Sequence, residues 1–236
     1  MQVEDKGFFL GSKQYGEKSS IVFIFSKNHG LIKSLTKFTK KDSHSFMTLD
    51  RISFVWKAKH QDNLGFVKLN LDSGLNLHNN GFLVNLIKSS ASELCLNFLP
   101  PWQKNIEIYN ELSELLDILN QKIGLIIESY IWWELNFLQY TGYGINLNEC
   151  SVSGSKENIF YISPKSGNSV TYKVGKKYDK KLFKIPNCFK SKIISNDYHD
   201  YCNALKIISF FLRKSFEFDT NKLVIRSQMI EKIRNL

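Results

Sequence analysis

The first seventy residues hold five short runs of β-branched and aromatic side chains, at 7–10, 21–25, 31–36, 51–58 and 65–71. Turn-forming residues punctuate them at near-regular spacing: Gly11-Ser12, Tyr15-Gly16, Asn28-His29-Gly30 and Asp62-Asn63-Leu64-Gly65. Runs this short, broken this often, cannot be long helices; they are strands of a small antiparallel barrel or sandwich. Five strands in about seventy residues suit an OB-fold.

Beyond residue 78 the period changes from two to about 3.6. From Asn79 to Leu99 the apolar residues Phe82, Leu83, Leu86, Ile87, Leu94 and Phe98 recur at helical spacing, and Pro100-Pro101 ends the run because proline lacks the amide donor. Ile106 to Ile118 and Leu125 to Tyr140 read as two more helices, and Gly142-Tyr143-Gly144 stops them. Residues 146–192 look irregular or β-like, with turns at Gly154, Ser163-Pro164, Gly167-Asn168 and Gly175. Asp197 to Phe216, with Tyr201, Leu205, Ile208 and Leu212 on one face, and Lys222 to Leu236 close the chain as helices.

Lys and Arg outnumber Asp and Glu by 32 to 22 in the 236 residues, a net charge of +10. Richness in Lys, Asn, Ile, Phe and Ser is what an AT-rich genome produces, so the total says less than its distribution. Residues 1–75 carry 12 basic and 7 acidic side chains, residues 76–149 carry 3 and 8, and residues 150–192 carry 10 and 2. An even bias in composition would not reverse sign twice, and the pattern points to a polyanionic partner, nucleic acid first. No window approaches the eighteen apolar residues of a membrane span and the opening residues lack the layout of a signal peptide, so a cytosolic protein with no membrane partner is expected. Cys95, Cys150, Cys188 and Cys202 stand far apart and form no C-x-x-C pair, which predicts buried free thiols.

The segment Gly7-Phe8-Phe9-Leu10-Gly11-Ser12-Lys13-Gln14-Tyr15-Gly16-Glu17-Lys18-Ser19-Ser20 resembles the opening of the RecO family of bacterial recombination mediators. After a further strand, Ser26-Lys27-Asn28-His29-Gly30-Leu31 is similar to that family's T-x-E-x-G-x turn. Trp133-Glu134-Leu135, then Gly142 to Cys150, then Tyr161-Ile162-Ser163-Pro164-Lys165-Ser166-Gly167 follow in family order. The resemblance implies an α+β multidomain chain. An N-terminal OB-fold barrel (1–75) precedes a helical domain (76–145), an inserted zinc-ribbon-like basic module (146–192) and C-terminal helices that pack on the helical domain (193–236). It also implies binding of single-stranded and double-stranded DNA, strand annealing, partnership with RecR and single-stranded-DNA-binding protein, indirect service to RecA, and association with the nucleoid. No cofactor is implied.

Five constellations carry the candidate chemistry. Lys33, Lys37, Lys40, Lys41, Arg51, Lys57 and Lys59 alternate with Phe38, Phe46, Phe54 and Trp56, and a surface that follows a DNA backbone needs such cations for phosphates and rings for bases. Phe54 and Trp56 share one strand face and are expected in the core, whereas Lys33, Lys37, Lys40, Lys41, Arg51 and Lys57 are the expected DNA-binding set. The lysine-dense stretch 165–192, with Tyr172, Tyr178 and Phe183, is either a second DNA contact or a solvated basic loop. In place of the two C-x-x-C pairs of many family members, Cys150 is followed by Ser153 and the second pair is absent. The module is therefore expected to fold without zinc, around Val152, Ile159, Phe160 and Ile162. The histidines are scattered and no G-x-S-x-G, H-E-x-x-H or Walker motif occurs, so no catalysis is assigned; Glu17, Glu134 and Glu149 are expected to cap or pair. Finally, family members take the acidic tail of single-stranded-DNA-binding protein in an apolar pocket flanked by basic residues. Ile123 to Glu149 contains no Lys or Arg, so such a flank would come from Arg213, Lys214 or Arg226. A protein-interaction scaffold with incidental nucleic-acid affinity is the rival reading.

Overall fold

The computed structural model describes residues 1–37, 46–72, 81–190 and 197–236. They form two compact units, 1–110 and 111–236. In the first, strands β1 (Gln2–Tyr15), β2 (Ser19–Ser26), β3 (Gly30–Thr36), β4 (Asp50–Lys57) and β5 (Phe66–Leu71) make a closed barrel in the order β1-β2-β3-β5-β4. β1 is longer than its apolar run because it serves two neighbours: Gln2 to Phe9 pair with β4, and Gly7 to Tyr15 pair with β2 across a bulge at Phe9/Gly11. The extra residue bends the strand and lets one ribbon turn the corner of the barrel. Closure comes where Leu35 meets Phe66 in parallel, with the Leu35 amide donating to Gly65 at 3.1 Å.

Alternation decides what faces inward. Val3, Phe9, Val22, Ile24, Ile32, Ile52, Phe54, Trp56 and Val67 make one buried core. Phe54 and Trp56 are 1% and 0% exposed, so the core reading of both holds. The Trp56 indole donates to Leu64 O at 3.2 Å, and Gly65, at φ +60°, passes so near that a Cβ would stand 2.6 Å from the ring nitrogen. Trp102 packs edge-on against Trp56, ring centroids 4.7 Å apart, and its amide donates to Leu31 O, capping one end of the barrel. Helix α1 (Phe82–Phe98) lies against β1, where Ser92 Oγ donates to Leu10 O at 2.7 Å. Although charge changes sign near residue 75, this acidic-region helix remains part of the barrel's unit.

Helix α2 (Ile106–Asp117) spans the division between the units; its first turn places Tyr109 in stacking contact with Phe8 at 4.6 Å. In the second unit, α3 (Ile123–Tyr140), α5 (Tyr198–Phe216) and α6 (Val224–Arg234) pack together, α3 apolar nearly all round as a helix at the centre of a core must be. Between α3 and α5 lie a three-stranded sheet, β6 (Ile159–Ile162), β7 (Ser169–Thr171) and β8 (Phe183–Lys184) in the order β7-β6-β8, and the single-turn helix α4 (Tyr172–Gly175). Asp197 caps α5 by accepting from the Asp200 amide, and the Asp200 carboxylate accepts from the Asn187 and Cys188 amides at 2.8 Å each. All four cysteines are buried free thiols, as expected.

Two expectations are corrected. Val152 is 69% exposed: it sits in a turn with no neighbour to cover it, and the module's core is Cys150, Tyr161 and Val170, with Phe160 only partly buried against them. Arg226 cannot flank a surface pocket. It is 2% exposed and donates to both oxygens of Glu134 at 2.7 Å.

Candidate nucleic-acid interface

The outer face of the barrel is written by register. On β4 the odd positions Arg51, Ser53, Val55 and Lys57 point away from the core, and on β5 Phe66, Lys68 and Asn70 do. Lys57 stands directly opposite Phe66, and Val55 opposite Lys68. Paired positions put side chains about 5 Å apart, so a cation and a ring lie side by side. Lys37, just past β3, completes a groove of about 980 Å³ that also takes in Phe46, Gln2 and Glu4. Phe66 is 53% exposed within it, an unusual position for a large ring that the core has no use for. Three ammonium groups around two rings offer phosphate contacts together with a stacking platform.

The expected set is therefore divided. Lys37 and Lys57 share the groove. Lys33 is exposed on the outer face of β3, opposite Phe23 of β2, and does not line it. Arg51 lies six residues from Lys57 along β4, about 20 Å at the rise of a strand. There it pairs with Phe8 in register and its charge acts on the Tyr109 hydroxyl. Lys40 and Lys41, with Phe38, lie outside the described residues. Lys68 and Phe66 were missed. The signal was available in Phe66-Val67-Lys68-Leu69-Asn70-Leu71, whose alternation places both on one face once residues 65–71 are read as a strand.

At the barrel's other edge Asp5 organises the β2–β3 turn. Its carboxylate accepts from Ser26 Oγ at 2.5 Å and from the Asn28 amide and side chain at 2.9 Å each, with His29 Nδ1 at 3.3 Å. Burial pushes the Asp5 pKa up, but the hydrogen bonds from Ser26 and Asn28 outweigh it and hold the carboxyl below its usual range.

Cys150 is the remaining thiol of the basic module. The Thr171 amide donates to its Sγ at 3.4 Å. Burial raises its pKa, while the Ser153 hydroxyl and the amides of Ser153, Thr171 and Val152 together bring it down to about 6. One sulfur ligand surrounded by hydroxyl and amide groups does not fit a closed zinc site, which needs four ligands. Among the described residues no group of three or more His, Cys, Asp or Glu is placed to hold a metal ion. The apolar groove beside α2 and α3, lined by Leu115, Leu125, Trp132 and Trp133, is rimmed by Glu111 and Glu114 and has no basic side chain among its described lining residues.

In architecture the chain is a β-barrel unit with a cationic, aromatic groove, followed by a helical unit that carries a small basic sheet, and no described helix is long and apolar enough to cross a membrane. It matches the family models for the recombination protein O N-terminal region over residues 1–70 and C-terminal region over residues 82–196. It is 31% identical over 223 residues to the DNA repair protein RecO of Wolbachia pipientis subsp. Culex pipiens, covering 91% of each chain. It is also 29% identical over 239 residues to that of Ehrlichia chaffeensis, covering 96% of this chain and 95% of the relative. To that of Rickettsia typhi it is 28% identical over 241 residues, the full length of both. The chain belongs to the RecO family, and its role lies in DNA repair and recombination.

Proposed function

We propose that the chain is a non-catalytic recombination mediator whose N-terminal barrel, an OB-type fold, holds single-stranded DNA in the groove of Lys37, Lys57 and Lys68. The groove itself is the observation that carries this reading: Lys37, Lys57 and Lys68 line it together with the exposed ring of Phe66, and Glu4 is the single carboxylate among its described lining residues. Phosphate contacts supply affinity without reading sequence, and stacking on Phe66 accepts any base. Lys33, exposed on β3, and Arg51, on the same strand as Lys57, extend the positive field, and Lys40 and Lys41 join the DNA-binding set as the next two lysines of the sequence after Lys37. Double-stranded DNA is bound through the same phosphate term.

Functionally the chain divides into a DNA-binding segment (1–75), a helical segment (76–145), a basic module descended from a zinc ribbon that has lost its ligands (146–192) and closing helices (193–236). With RecR it exchanges single-stranded-DNA-binding protein for RecA on coated DNA and anneals complementary strands, acting in the bacterial cytoplasm at the nucleoid. Several modest contacts suit such exchange better than one tight one, because each can be released in turn.

An annealing assay tests the reading. Complementary oligomers coated with single-stranded-DNA-binding protein are mixed with the wild-type chain, with a Lys37→Ala, Lys57→Ala, Lys68→Ala variant, and with a control that replaces Lys13, Lys18 and Lys27. The first and last accelerate annealing and the groove variant does not. Equal acceleration by all three refutes the assigned groove.

A further inference from the structure

The second unit holds a separate cavity of about 740 Å³, lined by Lys156, Lys173 and Lys190 together with Phe160, Tyr172 and apolar residues, with no carboxylate among its described lining residues. It is built by the small sheet. The Tyr172 amide donates to Asn158 O at 3.1 Å and fixes the start of α4, while the Ile185 amide donates to Phe160 O at 2.9 Å and fixes the opposite wall. Phe160 and Tyr172 meet edge to face, centroids 5.3 Å apart at 82°, and Tyr161 lies parallel to Tyr172 behind them at 6.3 Å. Lys190 hangs over the Phe160 ring at 5.6 Å and Lys176 over the Tyr172 ring at 5.7 Å. Tyr172 is 45% exposed nonetheless.

We infer that this cavity is a second single-strand contact, in which a nucleobase stacks on Tyr172 and the flanking phosphates meet Lys156, Lys173 and Lys190. The choice of polynucleotide follows from the donors available. An acidic tail that ends in an apolar side chain needs a closed apolar socket, whereas Tyr172 stands 45% exposed as an open platform beside Lys156, Lys173 and Lys190. Ammonium groups and ring faces remain, the pair of features that a sequence-indifferent single strand needs. The local charge agrees, since residues 150–192 carry 10 basic and 2 acidic side chains. The inference rests on the proposed reading of the chain as a DNA mediator and adds to it: two strand contacts on one chain turn the meeting of complementary strands into an intramolecular event, with a correspondingly higher effective concentration.

Photo-crosslinking of the full chain to a dT oligomer bearing 5-bromouracil, followed by peptide mapping, separates the two claims. Adducts on both the Phe66 peptide and the Phe160 or Tyr172 peptides support both sites. Adducts on Phe66 alone overturn the second contact and leave the barrel groove standing; adducts on Tyr172 alone do the reverse. Tyr172→Ala should weaken oligomer binding at the second contact about tenfold or more while Tyr172→Trp retains it, because stacking needs a ring and not a hydroxyl. Equal affinity of the two variants overturns the inference, as does displacement of the oligomer from the wild-type cavity by an aspartate-rich peptide that binds it more tightly.

Discussion

Arg226 and Glu134 join the last helix to α3 by two charge-assisted bonds of 2.7 Å, with Arg226 also donating to Ser209 Oγ and Leu205 O. Burial alone would lower the guanidinium pKa; the Glu134 carboxylate, with the nearby Tyr130 hydroxyl, raises it instead. Arg226→Ala leaves a buried carboxylate without its cation and should cost about 3–5 kcal/mol in urea denaturation, whereas joint replacement by Arg226→Met and Glu134→Leu should recover most of that loss. Asp5 makes a prediction in pH. Its folded pKa lies below the ordinary 3.8, so the stability it contributes is complete above that value and disappears as pH falls through the lower folded value. Denaturation curves taken between pH 6 and about 2.5 should therefore fall more steeply for the wild type than for Asp5→Asn. Neither partnership was legible in the sequence: Glu134 and Arg226 are 92 positions apart, and only packing brings them together.

At the level of elements, period carries most of what could be read. All five barrel strands and the five long helices follow apolar patterns of two or 3.6, and Phe54 and Trp56 announce the core by sharing a parity with Ile52. The groove was only half legible, because a charge count along the chain does not say which lysines meet. Lys57 and Lys68 are neighbours through the β4–β5 register, and Arg51, nearer to Lys57 in sequence than Lys68 is, stands far down the strand beside Tyr109. Val152 failed for a related reason, since an apolar residue in a turn has no face to share. If β5 supplies the stacking ring, Phe66→Ala should weaken binding of a dT oligomer by about 1–3 kcal/mol with little change in melting temperature, measured by fluorescence anisotropy and thermal denaturation. Phe66→Trp should restore it.

Over the whole molecule, the two units carry equal net charge: 14 basic against 9 acidic residues in 1–110, and 18 against 13 in 111–236. The positive character is local: residues 150–192 carry 10 basic side chains against 2 acidic, while α2 and α3 together carry six carboxylates and no Lys or Arg, so affinity should depend on particular lysines rather than on the total of +10. The direct measurement is the dependence of oligomer affinity on salt. Each lysine that neutralises a phosphate releases counterions, adding about 0.7 to the slope of log affinity against log salt for a single strand. Removing Lys37, Lys57 and Lys68 together should thus lower the slope by about 2 while the circular dichroism spectrum stays unchanged. A folded triple variant that binds with the wild-type slope would contradict the account, because its phosphates would then be met elsewhere.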